Sequence, residues 1–133
     1  YYLHLTNDTR QISELHTWLT RWQQELGITE ERLFQINLAL EEAVANCMQY
    51  AYPDQKDMPI EVTMERHDDE LVFVVDDQGV AFDPTKVTAP DITLPAEQRD
   101  AGGLGVFLIR QLAKSLSYER VANHNRLTMT FDN

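Results

Sequence analysis

An apolar repeat with helical spacing runs from residue 30 to residue 50 and constrains the fold more than any other stretch of the chain. At about 3.6 residues per turn, one side of this helix carries the apolar residues Leu33, Ile36, Leu40, Val44 and Cys47. This stripe predicts the face that packs on a core. Glu42 and Asn46 lie one turn apart, away from the stripe. Taken alone, that pair is typical of the solvated face of a helix.

Helical and strand periods alternate along the rest of the chain. Amphipathic spacing predicts a helix over residues 9–26, ended by Gly27, and another from Gly102 to about Ser115. Strand-like patterns predict five short strands, over residues 1–6, 60–64, 71–75, 116–121 and 127–131. Turn residues join the second and third of these strands at positions 67–70 and the fourth and fifth at positions 123–125.

This order of elements predicts an α/β (α+β) two-layer sandwich, in which a mixed, mainly antiparallel sheet carries three helices on one face. A length of 133 residues fits a single domain over residues 1–133, with one core. Between residues 81 and 100 no period holds and three prolines interrupt the chain, so we predict a mobile loop there.

The composition limits the function classes. The chain has 22 acidic and 11 basic side chains, and its net charge of -11 would repel a phosphate backbone, so direct binding of nucleic acid is not expected. No apolar run approaches the length of a membrane span. The single cysteine, Cys47, cannot form an internal disulfide and indicates a reducing compartment, so a cytoplasmic location is expected. The four histidines show no metal-ligand spacing.

Four of the five glycines cluster at two places. Gly102, Gly103 and Gly105 stand at a predicted helix start, where small residues let backbone N–H groups approach phosphate oxygens. Gly79 follows Asp77 at the end of a strand, where a carboxylate can accept a hydrogen bond from an exocyclic amine and glycine leaves room for a flat ring. Each motif by itself is more often an ordinary turn or helix start than a nucleotide site.

In order and spacing, three motifs resemble the N, G1 and G2 boxes of the Bergerat-fold, histidine-kinase-like ATPase superfamily. They are Glu42-Ala43-Val44-Ala45-Asn46, Asp77-Gln78-Gly79-Val80-Ala81-Phe82-Asp83-Pro84 and Gly102-Gly103-Leu104-Gly105. Within this superfamily, the chain most resembles the anti-sigma-factor serine/threonine-protein kinases, both in the form of its second motif and in its small size. The chain departs from the family at Ala81, where a second glycine is often found.

The resemblance implies a site with ATP and Mg²⁺ as cofactors. It implies that Asn46 holds Mg²⁺, that Glu42 is the catalytic base and that Asp77 accepts a hydrogen bond from adenine. The other implied cofactor-binding positions are Gly79, Ala81, Gly102, Gly103, Leu104 and Gly105. A lid over about residues 83–101 would close on ATP. Its two basic residues, Lys86 and Arg99, fit contacts with the γ-phosphate, contacts with a partner, or plain solvated charges.

The function implied by the resemblance is that of an ATP- and Mg²⁺-dependent anti-sigma factor. It would act as a protein serine/threonine kinase on an anti-anti-sigma protein and switch between that protein and a sigma factor. The family also implies a homodimer. Two alternatives stay open: a nucleotide-gated module that binds a partner without significant transfer activity, and a detached histidine-kinase catalytic domain. The first alternative needs Asn46 and Asp77 but no general base.

Overall fold

A five-stranded sheet with three helices forms the fold in the computed structural model, which describes residues 1–86 and 103–133, the side chain of Leu104 excepted. The strands are β1 (Tyr2–Thr6), β2 (Pro59–His67), β3 (Glu70–Asp77), β4 (Ser115–Val121) and β5 (His124–Asp132). The helices are α1 (Ser13–Leu26), α2 (Glu30–Asn46) and α3 (Gly103–Leu112). The strand order is β1-β2-β3-β5-β4, and each pairing among the described residues is antiparallel. The predicted α+β class is confirmed, and the sheet is antiparallel rather than mixed in the part described.

The core lies between the sheet and the helices. In β3 the side chains alternate, so that Leu71, Phe73, Val75 and Asp77 are buried. The predicted apolar stripe of α2 is buried against this face, and Cys47 packs at its edge. The buried, helix-facing row of β3 thus ends in the carboxylate of Asp77.

None of the helices within residues 1–86 and 103–133 is long and apolar enough to span a membrane.

Short capping interactions set the ends of the first two helices. Asp8 accepts a hydrogen bond from the backbone N–H of Arg10, and a 3₁₀ turn over Thr9–Ile12 leads into α1. The α1 helix ends at Gly27, whose φ of 68° lies in the left-handed region, as predicted. Thr29 Oγ1 then accepts from Arg32 N at 3.1 Å and begins α2. These local signals explain why the first two helices were predictable from sequence.

Replacing Gly27 by Ala is expected to destabilise the fold by about 1 kcal/mol, because a Cβ is disfavoured at positive φ. No atom lies within 4 Å of the position that this Cβ would take, so the cost is conformational rather than steric. Urea unfolding followed by circular dichroism measures the change. Gly27→Asn is the matched control and should cost less, since Asn tolerates the left-handed region. Equal stability of Gly27→Ala and the wild-type chain would contradict this prediction.

The predicted helix over residues 30–50 changes its hydrogen bonding after Asn46. A turn of π-helix, Cys47–Ala51, follows α2 and is of a kind that occurs often at functional sites. Tyr52 comes next, donates its hydroxyl to Pro59 O at 2.7 Å and accepts from Gln78 N at 2.5 Å. Burial raises the pKa of Tyr52 to about 12, so this hydroxyl stays protonated and able to donate. Tyr52 thus joins the end of the helix to the residue that follows β3.

The turn predicted at positions 123–125 is wrong. The hairpin between β4 and β5 closes over the two residues Ala122 and Asn123, with φ of 49° and 67°, and Val121 pairs with His124. Two positive φ values in a two-residue loop are typical of a type I′ turn, which matches the twist of the flanking strands. As a consequence Asn125 belongs to β5, where it pairs with Asp77 of β3.

Candidate functional site

Asn46 is a buried polar side chain in the last turn of α2. Only 8% of it is exposed. Its Nδ2 has no hydrogen-bond partner among the residues that the structure describes. An unpaired buried amide costs about 1–3 kcal/mol, so it is typical of a position where a ligand binds. The solvated interpretation of the Glu42 and Asn46 pair is therefore wrong for Asn46.

Glu42 and Asn46 face the first turn of α3. A Cβ at Gly105 would lie 2.7 Å from Glu42 Oε2 and 3.7 Å from Asn46 Nδ2. A side chain at position 105 would therefore displace the carboxylate. Glu42 is half-buried and, with Gly105, Phe107 and Leu108, lines a cavity of about 450 Å³ that opens to the surface. The fold thus brings the first and third motifs into contact.

Asp77 is a buried carboxylate at the end of β3, with 2% of the residue exposed. Its Oδ1 accepts hydrogen bonds from Gly79 N and from Asn125 Nδ2, both at 2.8 Å. A buried carboxylate is stable only when donors surround it, and these bonds supply two of them. The second motif therefore presents a fixed hydrogen-bond acceptor on the helix-facing side of the sheet.

The Cys47 thiol lies beside the Asp77 carboxylate. Burial raises the pKa of Cys47 well above its usual range, and the negative charge of Asp77 raises it further. The thiol therefore stays protonated, as a weak donor beside the carboxylate. Sequence reasoning predicted a small buried hydrophobe at this position, and the structure places its thiol against the carboxylate of the candidate site.

Gly79 makes close contact with the π-helical turn. A Cβ at this position would lie 2.2 Å from the carbonyl oxygen of Ala51, and Val80 N donates to the same oxygen at 2.9 Å. Glycine is thus required here because two backbone segments meet. Sequence reasoning expected Gly79 to leave room for a flat ring, but in the structure its open side is occupied by Ala51.

Asp77 lies at the end of a narrow pocket between α2 and the sheet. The wall of this pocket includes Asn46, Cys47, Phe82, Tyr118 and Asn125. The lining is mainly apolar, and the free space is about 20 Å³, roughly that needed by one water molecule. Phe82 stacks on Tyr50, with ring centroids 5.1 Å apart and an interplanar angle of 27°. In this arrangement the pocket is too small to hold a purine ring, and Phe82 is one of the side chains that narrow it.

The predicted phosphate-binding residues and lid are described in part. Gly103 and Leu104 belong to the first turn of α3, whereas Gly102, residues 87–101 and with them Arg99 lie outside the described residues. Lys86 is exposed at the end of a 3₁₀ turn over Pro84–Lys86. Ala81 is exposed beside Phe82. For the first part of the lid, the structure therefore provides a short turn that carries one exposed cation.

Sequence reasoning missed Asn125 as a residue of this site. Asn125 is 4% exposed and lies two positions before Leu127, on the same face of β5. The pattern that could have identified it is the alternation of buried and exposed residues in β5, which includes Asn125 when the turn is placed at residues 122 and 123. Tyr118 of β4, whose hydroxyl donates to Asn125 Oδ1, was missed as well.

The sequence model of the family described as histidine kinase-like ATPase domain matches residues 5–131. The chain is 28% identical over 130 residues to the serine/threonine-protein kinase BtrW of Bordetella bronchiseptica, with 92% of each chain covered. It is 28% identical over 110 residues to the serine-protein kinase RsbW of Bacillus subtilis, with 78% of this chain and 66% of that relative covered. The relatives in this comparison are thus named as protein kinases.

A solved structure of the RsbU and RsbW domains of Rv1364c from Mycobacterium tuberculosis has the same fold. Its TM-score is 0.68 at 17% sequence identity, with 99% of this chain and 32% of that chain covered. The family match, which extends over nearly all of the sequence, confirms the superfamily identified from the three motifs. The chain belongs to the family of histidine kinase-like ATPase domains, and it is similar in sequence to one relative named as a serine/threonine-protein kinase and one named as a serine-protein kinase.

Proposed function

We propose that this chain binds ATP with Mg²⁺ and transfers the γ-phosphoryl group to a serine of a partner protein. The observation that carries the proposal is the meeting of three motifs: Asp77 and Asn46 line one pocket, and Gly105 lies against Glu42 and Asn46. Membership of the ATPase-domain family supports ATP as the nucleotide. The two relatives named as serine kinases support serine as the acceptor.

In this proposal Asp77 recognises the nucleotide base. Its buried carboxylate accepts a hydrogen bond from the exocyclic amine of adenine, with Gly79 and Ala81 on the neighbouring backbone. The backbone N–H groups at the start of α3, including those of Gly103 and Gly105, bind the phosphates with help from the helix dipole. Gly102 and Leu104 belong to the same phosphate-binding segment.

Asn46 is suited to hold Mg²⁺. Its buried amide has an unpaired group, and a half-turn of the amide would present the oxygen that this cation prefers. Within the part of the chain that the structure describes, no three His, Cys, Asp or Glu side chains form a metal site by themselves. A site with one protein ligand agrees with the tendency of Mg²⁺ to keep its waters and bind phosphate oxygens. Bound Mg²⁺ would neutralise negative charge on those oxygens.

Glu42 is the proposed general base. Its carboxylate accepts the serine hydroxyl proton while the serine oxygen bonds to the γ-phosphorus and the bond to the departing ADP breaks. The cavity that Glu42 shares with Phe107 and Leu108 opens to the surface. A serine on a partner protein can therefore approach the base from outside.

The proposed phosphoacceptor is an anti-anti-sigma protein, and a sigma factor is the alternative partner. The likeness of the second motif to the anti-sigma-factor kinases supports this choice, and the relative named serine-protein kinase RsbW supports a serine as the acceptor. The net charge of -11 favours association with a basic surface on either partner.

Titration with ATP and Mg²⁺ tests the nucleotide site. Asp77→Asn should weaken ATP binding by about tenfold to a hundredfold, because a charge-assisted hydrogen bond is lost. Asp76→Asn is the matched control and should leave the affinity unchanged. Asp76 is the preceding residue of β3 and lies on the other face of the sheet, where it contacts His124 and Arg126. Equal affinity of Asp77→Asn and the wild-type chain would overturn the assignment of the base site.

A further inference from the structure

Asn125 is the most completely hydrogen-bonded side chain in the pocket. Its Nδ2 donates to Asp77 Oδ1 and to Val80 O, both at 2.8 Å. Its Oδ1 accepts from Phe82 N at 3.3 Å and from the hydroxyl of Tyr118. An amide has two N–H donors and two acceptor positions, so its whole capacity is used.

These four bonds fix the orientation of the Asn125 amide. If the amide turned over, its oxygen would face the carboxylate of Asp77 and the carbonyl of Val80, and its nitrogen would face the N–H of Phe82 and the hydroxyl of Tyr118. Three of the four contacts would then be unfavourable, since two acceptors would meet an acceptor and the N–H of Phe82 would meet a donor, and only the Tyr118 hydroxyl could turn to accept. The amide nitrogen is therefore held toward Asp77.

The same bonds connect three separate parts of the chain. Asn125 lies on β5, Asp77 ends β3, and Val80 and Phe82 belong to the segment that follows β3. Tyr118 adds a contact from β4. Asn125 therefore holds the backbone of the segment after β3, at Val80 and Phe82, in place relative to the carboxylate.

The orientation of Asn125 limits what Asp77 can do toward a ligand. Gly79 N and Asn125 Nδ2 both bind Oδ1, and among the described residues no backbone or amide N–H binds Oδ2. The Cys47 thiol beside the carboxylate is only a weak donor. A carboxylate held by donors on one oxygen offers the other oxygen as an acceptor. Such an acceptor selects a ring that carries an amino group over one that lacks it.

We propose that Asn125 is a positioning residue that makes the pocket selective for a 6-aminopurine by holding the Asp77 carboxylate as an acceptor. This inference rests on the proposed nucleotide function, and it adds a residue that acts through Asp77 and does not itself contact the base. Asn125 and Tyr118 together set this selectivity, although neither lies in one of the three sequence motifs.

Nucleotide competition tests the inference. The affinities of ATP and of purine riboside triphosphate, which lacks the 6-amino group, are measured for the wild-type chain and for Asn125→Leu and Tyr118→Phe. Asn125→Leu should weaken ATP binding by about tenfold to a hundredfold and leave the affinity for the analogue nearly unchanged. Tyr118→Phe removes only one bond to the amide, so its loss should be smaller, about threefold to tenfold. Thr128→Val, on the other face of β5, is the control and should change neither affinity.

Loss of affinity for ATP alone supports the inference, whereas an equal loss for both nucleotides in either variant would show a purely structural role and overturn it. If Asn125→Leu does not fold, as judged by circular dichroism, Tyr118→Phe carries the test. Unchanged ATP affinity in a folded Asn125→Leu would also overturn it. Failure of the proposed function looks different, because the wild-type chain would then not bind ATP at all.

Discussion

Replacement of Glu42 by Gln is expected to slow phosphoryl transfer by about 10²–10⁴-fold while ATP affinity stays nearly unchanged. Gln keeps the shape of Glu but cannot take a proton. The carboxylate borders the open cavity and lies against Gly105, so the substitution alters the acceptor-facing side of the site and leaves the base pocket intact. Transfer of labelled phosphate to an anti-anti-sigma protein measures the rate, and a product stable in acid identifies phosphoserine.

Glu41→Gln is the matched control for this experiment. Glu41 is the preceding residue of α2, and its Oε1 accepts from Asn37 Nδ2 at 3.0 Å, one turn away on the helix surface. This variant should transfer phosphate at the wild-type rate. Equal rates in Glu42→Gln and the wild-type chain would show that Glu42 is not the base. ATP binding without transfer in the wild-type chain would instead favour a nucleotide-gated binding module, and an acid-labile product would favour a histidine-kinase catalytic domain.

Replacement of Gly79 by Ala is expected to destabilise the fold by about 3 kcal/mol or more and to abolish ATP binding. The added Cβ would lie 2.2 Å from the oxygen and 2.6 Å from the carbonyl carbon of Ala51, and backbone atoms cannot move aside as a side chain does. The segment after β3 must then leave the π-helical turn, which breaks the bond from Val80 N to Ala51 O. Urea unfolding and ATP titration measure the two effects.

Gly105→Ala is the informative comparison for Gly79→Ala. Its Cβ would meet the end of the Glu42 side chain at 2.7 Å, and a flexible carboxylate can turn away. This variant should therefore keep most of its stability and lose transfer activity. A fully stable Gly79→Ala variant that binds ATP normally would contradict the proposed reason for glycine at this position.

Local features of the sequence were enough to predict most elements of this fold. The ends of α1 and α2 follow from Gly27 and Thr29, whose effects act within one helical turn. Alternation of apolar residues predicted the hairpin of β2 and β3, because side chains of a strand point to opposite faces. Spacing of Glu42 and Asn46 likewise placed both side chains in one turn.

Contacts between distant segments could not be predicted in the same way. The bond from Asn125 to Asp77 joins residues 48 positions apart and depends on the register of β3 with β5. The sequence prediction placed this turn at positions 123–125 and so assigned Asn125 to a loop. In the structure Asn125 belongs to the buried row of β5. Likewise, the contact of Gly79 with Ala51 depends on how α2 packs over the sheet.

The sequence by itself determined the order of the elements, the family, and the three motifs that carry Glu42, Asn46, Asp77 and the glycines, because these depend on residue type and short spacing. Only the tertiary structure decided that Asn46 is buried with an unpaired amide and that Gly105 lies against Glu42. It also decided that Asn125 and Cys47 surround Asp77. The physical reason is that burial and hydrogen-bond partners arise from packing between segments, which no local pattern specifies.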